Sequence, residues 1–191
     1  AAGHLAMLPD YSNAVIREID AYFKLRRPDI SCLYIGGGTP TVFDDALFEE
    51  FIHGVFHIIA NKSIGEITVE AGRPDTITEH KLKVLKEAGV SRICINPQTL
   101  SDRTLAAIGR KHTSADFFRA YDLALKFGFK TINTDLIAGL PNETAEDFSK
   151  SIDTIIGMKP ENITVHTPSK KRKSEISRGT VLSDDIHEIE C

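Results

Sequence analysis

The chain of 191 residues is 41% apolar and carries no low-complexity tract, enough for one sizeable buried core, and this argues for a single domain. With 23 basic against 27 acidic residues its net charge is −4, so no positive field draws nucleic acid to it. No apolar run reaches the roughly 18 to 20 residues of a bilayer span and no signal peptide opens the chain, so the expectation is a soluble cytoplasmic protein with no nucleic acid and no membrane as partner.

Pro9 and Asp10 suit a first helical turn, after which Val15, Ile16, Ile19, Tyr22 and Phe23 recur at helical spacing until Pro28. A strand is predicted over Cys32 to Ile35. A helix then begins at Asp44 or Asp45 and carries Phe48, Phe51, Ile52, Val55 and Ile59 on one face. The second strand spans Ile67 to Glu70, and a helix from Thr78 follows it and stops at Gly89, where a left-handed cap is easiest without a Cβ. The third strand covers Arg92 to Ile95. A short turn near Leu105 and a helix carrying Phe117, Tyr121 and Ala124 come next, ending at Gly128. The fourth strand is Ile132 to Ile137, and Thr144 with Asp147 forms a capping box for a last helix using Phe148, Ile152 and Ile155, with Gly157 as its stop. Ile163 to His166 is the fifth strand.

Each strand is short and mostly apolar, as expected of one covered on both faces. The βα alternation fits either an open doubly wound sheet or part of a barrel. Beyond His166 the pattern ceases, and Lys170 to Lys173 followed by the acidic stretch from Asp184 to Glu190 reads as a loosely ordered polar tail. Cys32, Cys94 and Cys191 are widely spaced with no CxxC pattern, so they form neither a disulfide framework nor a metal knuckle. Cys32 and Cys94 are expected to be buried strand thiols.

The chemistry sits where the strands end. Gly36-Gly37-Gly38-Thr39-Pro40 follows the first strand, at the carboxyl edge of the sheet where barrels and doubly wound folds both bind ligands. Glycines there let backbone N–H and C=O groups approach a small polar ligand. Later strands carry a polar residue in the same apparent placement: Glu70 closes the second, Gln98 follows the third, Asp135 lies in the fourth and His166 in the fifth. Such groups are costly inside a barrel mouth unless they meet a ligand or each other.

The strings GGGTP, VEAGRPDTIT, RICINPQTLSDRTLAAIGRKHT and INTDLIAGLPNETAEDF, in this order and spacing, resemble the oxygen-independent coproporphyrinogen III dehydrogenases of the radical SAM superfamily, with closest likeness to their HemZ-type branch. The resemblance covers roughly residues 30 to 168 and implies a (β/α)6 partial barrel, an incomplete TIM-type barrel whose first strand is absent here. Residues 1–168 would be the barrel part and 169–191 a linker or the start of a C-terminal region. The implied cofactors are S-adenosylmethionine and a 4Fe–4S cluster, and the implied partners are coproporphyrinogen III as tetrapyrrole substrate and an electron donor or acceptor. By residue, the resemblance sets Gly36, Gly37, Gly38 and Thr39 against the methionine amino end. Glu70 lies beside that amino group or the ribose, and Gln98 and Asp135 line the ribose and methionine side. Arg110 pairs with the carboxylate, for which a two-pronged donor is suited. Ala138, Gly139, Leu140 and Pro141 form the loop by the adenine, while Lys111 and His112 have no assigned role.

The family holds its cluster by three cysteines spaced CxxxCxxC after the first strand. This chain begins with Ala1-Ala2-Gly3-His4-Leu5 where the end of that loop belongs, so the triad is expected upstream of it. The implied reaction turns two propionates of coproporphyrinogen III into vinyl groups, giving protoporphyrinogen IX, by way of a 5′-deoxyadenosyl radical. The alternatives are a haem-binding chaperone with the same barrel motifs, and a chain that only folds, whose exposed sheet edge could drive dimerisation.

Overall fold

The computed structural model describes residues 6–168, so the tail read from the sequence lies outside the described residues. Helix α1 spans Leu8–Arg26 and ends on Arg27 in the left-handed region. Strand β1 is Cys32–Ile35, followed by a tight turn over Pro40–Val42 and helix α2, Asp45–Ile59. The side chain of Asp44 starts α2 by accepting the Leu47 N–H at 2.8 Å. Strand β2 is Glu66–Glu70, followed by a second tight turn at Pro74–Thr76 and helix α3, Glu79–Glu87. Then come β3 at Arg92–Cys94, α4 at Asp102–Ala107 and α5 at Ser114–Phe127. Strand β4 is Thr131–Ile137, α6 is Ala145–Met158 and β5 is Asn162–His166.

Capping boxes open both α5, from Thr113 and Asp116, and α6, from Thr144 and Asp147. The predicted stop at Gly157 is one place where the structure differs. Helix α6 passes through it to Met158 and caps on Lys159, because Pro160 keeps the preceding residue out of the right-handed helix.

The five strands are all parallel and stand in the order β1-β2-β3-β4-β5. Right-handed crossovers that each advance one strand in the same direction leave no point where the order reverses, which makes the sheet a curved part of a barrel. Its two faces differ. Leu33, Val69, Ile93, Ile132 and Leu136 point outward and pack in one core with Phe48 and Ile52 of α2, Leu85 of α3, Phe117 of α5 and Ile155 of α6.

The alternate positions face inward and are mostly polar: Tyr34 on β1, Glu66, Thr68 and Glu70 on β2, Arg92 and Cys94 on β3, Asn133 and Asp135 on β4, Thr164 and His166 on β5, with Ile137 at the end of β4 the apolar exception. The expectation of strands apolar on both faces is therefore corrected, since only the outer face meets helices. The same correction covers Cys32, which is exposed, because it opens the edge strand on the inward side; Cys94, on an interior strand, is buried. Among the described residues no helix is long and apolar enough to cross a membrane.

Candidate functional site

At the carboxyl end of β1 the chain turns through Gly36, Gly37 and Gly38. Gly37 and Gly38 have φ of +84° and +60°, a region that side chains avoid. At Gly36 the constraint is space, since a Cβ there would collide with the ring of Tyr34 and come within 2.8 Å of Glu70 Oε2. Glu70 ends the neighbouring strand, and its Oε2 accepts the Gly37 N–H at 3.2 Å and the Tyr34 hydroxyl at 3.4 Å. No described residue donates to its other oxygen, Oε1, which stands beside Gly72. The glycine turn is thus pinned by one carboxylate oxygen, while the other is available to a ligand. Although the Tyr34 side chain is exposed overall, partial desolvation of its hydroxyl, followed by the Glu70 charge, pushes it up to about 12.

The register sets Glu70, Cys94 and Asn133 in one row across the inner face. Asp135 lies one inward position further towards the carboxyl edge. Its Oδ1 accepts from Asn133 Nδ2 at 2.6 Å, and its Oδ2 lies 3.9 Å from His166 Nε2. Burial, followed by the Asp135 charge, pushes the Cys94 thiol up to about 11.

Gln98 is buried in the left-handed region at φ 68°. Its N–H donates to the Asp135 carbonyl at 3.0 Å and its carbonyl accepts the Ile137 N–H at 2.8 Å, which fastens the post-β3 loop to β4. The Ala138 N–H donates to the His166 carbonyl at 2.8 Å. Thr39 begins the Pro40–Val42 turn, its carbonyl accepting the Val42 N–H.

Arg110 closes the turn after α4 through its N–H on the Leu105 carbonyl. Burial lowers its pKa, the nearby Arg73 adds to that, and Asp75 and Glu70 act against both. Arg110 lies on the connection between α4 and the start of α5, four residues before Ser114. Lys111 is exposed, whereas His112 is buried with Nε2 3.2 Å from the Pro97 carbonyl.

Two buried charges that sequence reasoning missed hold the loops in place. Lys81 of α3 is 5% exposed and donates to the Thr41 carbonyl at 2.9 Å and the Thr76 carbonyl at 3.0 Å, bridging the loops after β1 and β2. The hydroxyls of Thr41 and Thr76 also meet at 2.6 Å. Burial lowers the Lys81 pKa against the pull of Asp45. Glu143 accepts from the Thr99 hydroxyl at 2.5 Å and the Leu140 N–H at 3.4 Å, joining the loops after β3 and β4, and burial raises its pKa. No local motif marks either bridge, because the partners are 40 and 44 residues apart.

A cavity of about 510 Å³ lies between α1, α2 and β1 and reaches the site itself, since Tyr34, Gly36, Gly37, Gly38 and Thr39 line it. Leu8, Val15, Leu33, Phe43 and Phe51 make the rest of its wall apolar, whereas the carboxylates of Glu70 and Asp135 stand on the inner face of the sheet.

The model of the radical SAM superfamily matches residues 7–155. The oxygen-independent coproporphyrinogen-III oxidase-like protein HemZ of Bacillus subtilis (strain 168) is 44% identical over 167 residues, covering 85% of this chain and 33% of that protein. The heme chaperone HemW of the same organism is 36% identical over 160 residues, covering 83% of this chain and 42% of that protein. The solved structure of the radical SAM enzyme coproporphyrinogen III oxidase (HemN) from Escherichia coli superposes with a TM-score of 0.80 at 21% identity, covering 95% of this chain and 44% of that one. At that identity it shows the partial-barrel fold alone. The chain spans less than half the length of each of these relatives.

Proposed function

The chain belongs to the radical SAM superfamily, and from that premise we propose that it is the S-adenosylmethionine-binding part of an enzyme that oxidatively decarboxylates two propionates of coproporphyrinogen III to give protoporphyrinogen IX. The family uses S-adenosylmethionine and a 4Fe–4S cluster, which together supply, when bound, an organic radical that takes a hydrogen atom from the substrate. The observation that carries the reading is the division of labour at Glu70, where one oxygen holds the glycine turn and the other is left for a ligand donor.

The described residues fit S-adenosylmethionine. Backbone groups of Gly36 to Gly38 and the free oxygen of Glu70 suit its ammonium, Gln98 and Asp135 its hydroxyls, and Arg110 its carboxylate. They do not fit the cluster. Its binding needs three thiolates, whereas the described cysteines are Cys32 and Cys94 on different strands, and no group of three His, Cys, Asp or Glu among the described residues could hold a metal. No step through the cluster is therefore assigned to these residues. In this reading residues 1–168 are the barrel part, and 169–191 lead towards a further region that selects the tetrapyrrole.

A second reading, a haem chaperone, is supported by the 36% identity to HemW, which is lower than the 44% to the oxidase-like relative. The parent protein, reconstituted anaerobically with iron and sulfide and given coproporphyrinogen III, S-adenosylmethionine, a reductant and a one-electron acceptor for the electron left after each loss of CO2, is expected to form protoporphyrinogen and 5′-deoxyadenosine. Stoichiometric haem binding without conversion of the porphyrinogen would favour the chaperone. The pocket itself is tested by titrating S-adenosylmethionine into wild type, Arg110→Ala and Lys111→Ala. Loss of a charge-assisted pair worth roughly 1.5 to 3 kcal/mol corresponds to about a tenfold to hundredfold weakening for Arg110→Ala, with little change for Lys111→Ala. Equal affinities for all three would remove Arg110 from the site.

A further inference from the structure

Arg92 opens β3 on the inner face, below Cys94 and away from the mouth. Its Nη2 donates to Asn133 Oδ1 at 3.2 Å, and its Nη1 lies 3.7 Å from Glu66 Oε1. Asn133 is 4% exposed, and its Nδ2 donates to Asp135 Oδ1 at 2.6 Å. A guanidinium only donates and a carboxylate only accepts. The amide between them therefore has one favourable orientation, with its carbonyl towards Arg92 and its NH2 towards Asp135. The reverse would set NH2 against a cation and oxygen against an anion.

We propose that Arg92 is a positioning residue that fixes the carboxylate of Asp135 through the amide of Asn133, holding Oδ1 so that Oδ2 faces a hydrogen-bond donor of bound S-adenosylmethionine. The proposal rests on the reading that Asp135 contacts that ligand. Without Arg92 the Asn133 amide loses one of the two partners that fix its orientation and is held by Asp135 alone. In its inverted form it repels the carboxylate it now holds. Arg92 never touches the ligand in this arrangement, and its effect passes through one side chain of a neighbouring strand.

The test uses the 191-residue chain with S-adenosylmethionine as the probe, followed by nuclear magnetic resonance titration, which reads weak binding and reports folding in the same spectrum. Asp135→Asn and Arg92→Met are each expected to weaken binding about tenfold, the scale of one charge-assisted hydrogen bond. Arg92→Lys, which keeps a donor, is expected to recover part of the loss. In an Asn133→Ala background, Arg92→Met adds no further loss, because the connecting amide is already gone. In Arg92→Met alone the side-chain amide signals of Asn133 move, which a change confined to packing elsewhere would not produce.

Wild-type affinity in Arg92→Met, or the same loss with and without Asn133, overturns the proposal. Should Arg92→Met not fold, Asn133→Ala alone reads the link, and wild-type affinity there overturns it too. If Asp135→Asn binds as wild type does, the contact assigned to Asp135 is wrong and the proposal falls with it, a result distinct from silence at Arg92 alone.

Discussion

The two faces of one sheet divide the molecule's tasks between them. Outward positions such as Ile93, Ile132 and Leu136 are at most 1% exposed and lock into the helices, so that face supplies the apolar burial on which folding depends. Inward positions carry Glu66, Glu70, Arg92, Asn133 and Asp135, side chains that cost free energy when removed from water unless paired. Alternation along a strand keeps the two sets apart by only one residue. Substitutions on the outer face should therefore change stability most, and those at the solvent-reached inward carboxylates should change binding at nearly constant stability.

The largest expected effect is on the outer side. Phe48→Ala empties a fully buried site on α2 and is expected to cost about 3–5 kcal/mol in a urea titration. Glu70→Gln makes the opposite case. Its amide carbonyl still accepts the Gly37 N–H, so stability should shift by less than about 1 kcal/mol, while S-adenosylmethionine binds at least about tenfold more weakly. A Glu70→Gln protein as destabilised as Phe48→Ala would erase the distinction between the faces.

Cys94 sharpens the comparison, being an inward residue that is also buried. Its folded-state pKa is raised from 9.0 to about 11, so the folded chain keeps the proton that the unfolded chain releases. The associated stability is complete below about pH 9 and is lost as the pH rises towards 11. Urea midpoints measured across that window should fall more steeply for wild type than for Cys94→Ala; parallel curves would show that the thiol is not protected by the fold. The smallest effect belongs to neither face. Lys24 and Asp20 pair at 2.6 Å on exposed α1, and Lys24→Ala should cost no more than about 0.5 kcal/mol by thermal unfolding.

What could be read from the sequence depended on distance along the chain. The capping box of Thr144 and Asp147 and the cap at Gly128 are signals carried by neighbours within one helical turn, and the structure has both. Strand centres were legible from composition, but the order that separates a barrel from a doubly wound sheet depends on which crossover lands beside which strand. Cys32 misled because residue type says nothing of whether a strand is central or at the edge. At the site, Glu70 stands out as a charge closing a strand and Asp135 as a charge within one. Tyr34 and Asn133 do not, since their importance comes from parity and register, and both are ordinary strand residues in isolation. The Thr99 to Glu143 and Arg92 to Asn133 links join residues 44 and 41 apart and have no local signature.

The Lys81 bridge has a consequence for how the mouth moves. One ammonium is held by the carbonyls of Thr41 and Thr76, so neither loop opens without stripping a buried cation of acceptors that water cannot easily replace. The rim segments after β1 and β2 then behave as a single plate. Amide hydrogens there should exchange through one shared opening event, and a ligand that closes on the glycine turn meets a rim already ordered, with little conformational entropy left to surrender.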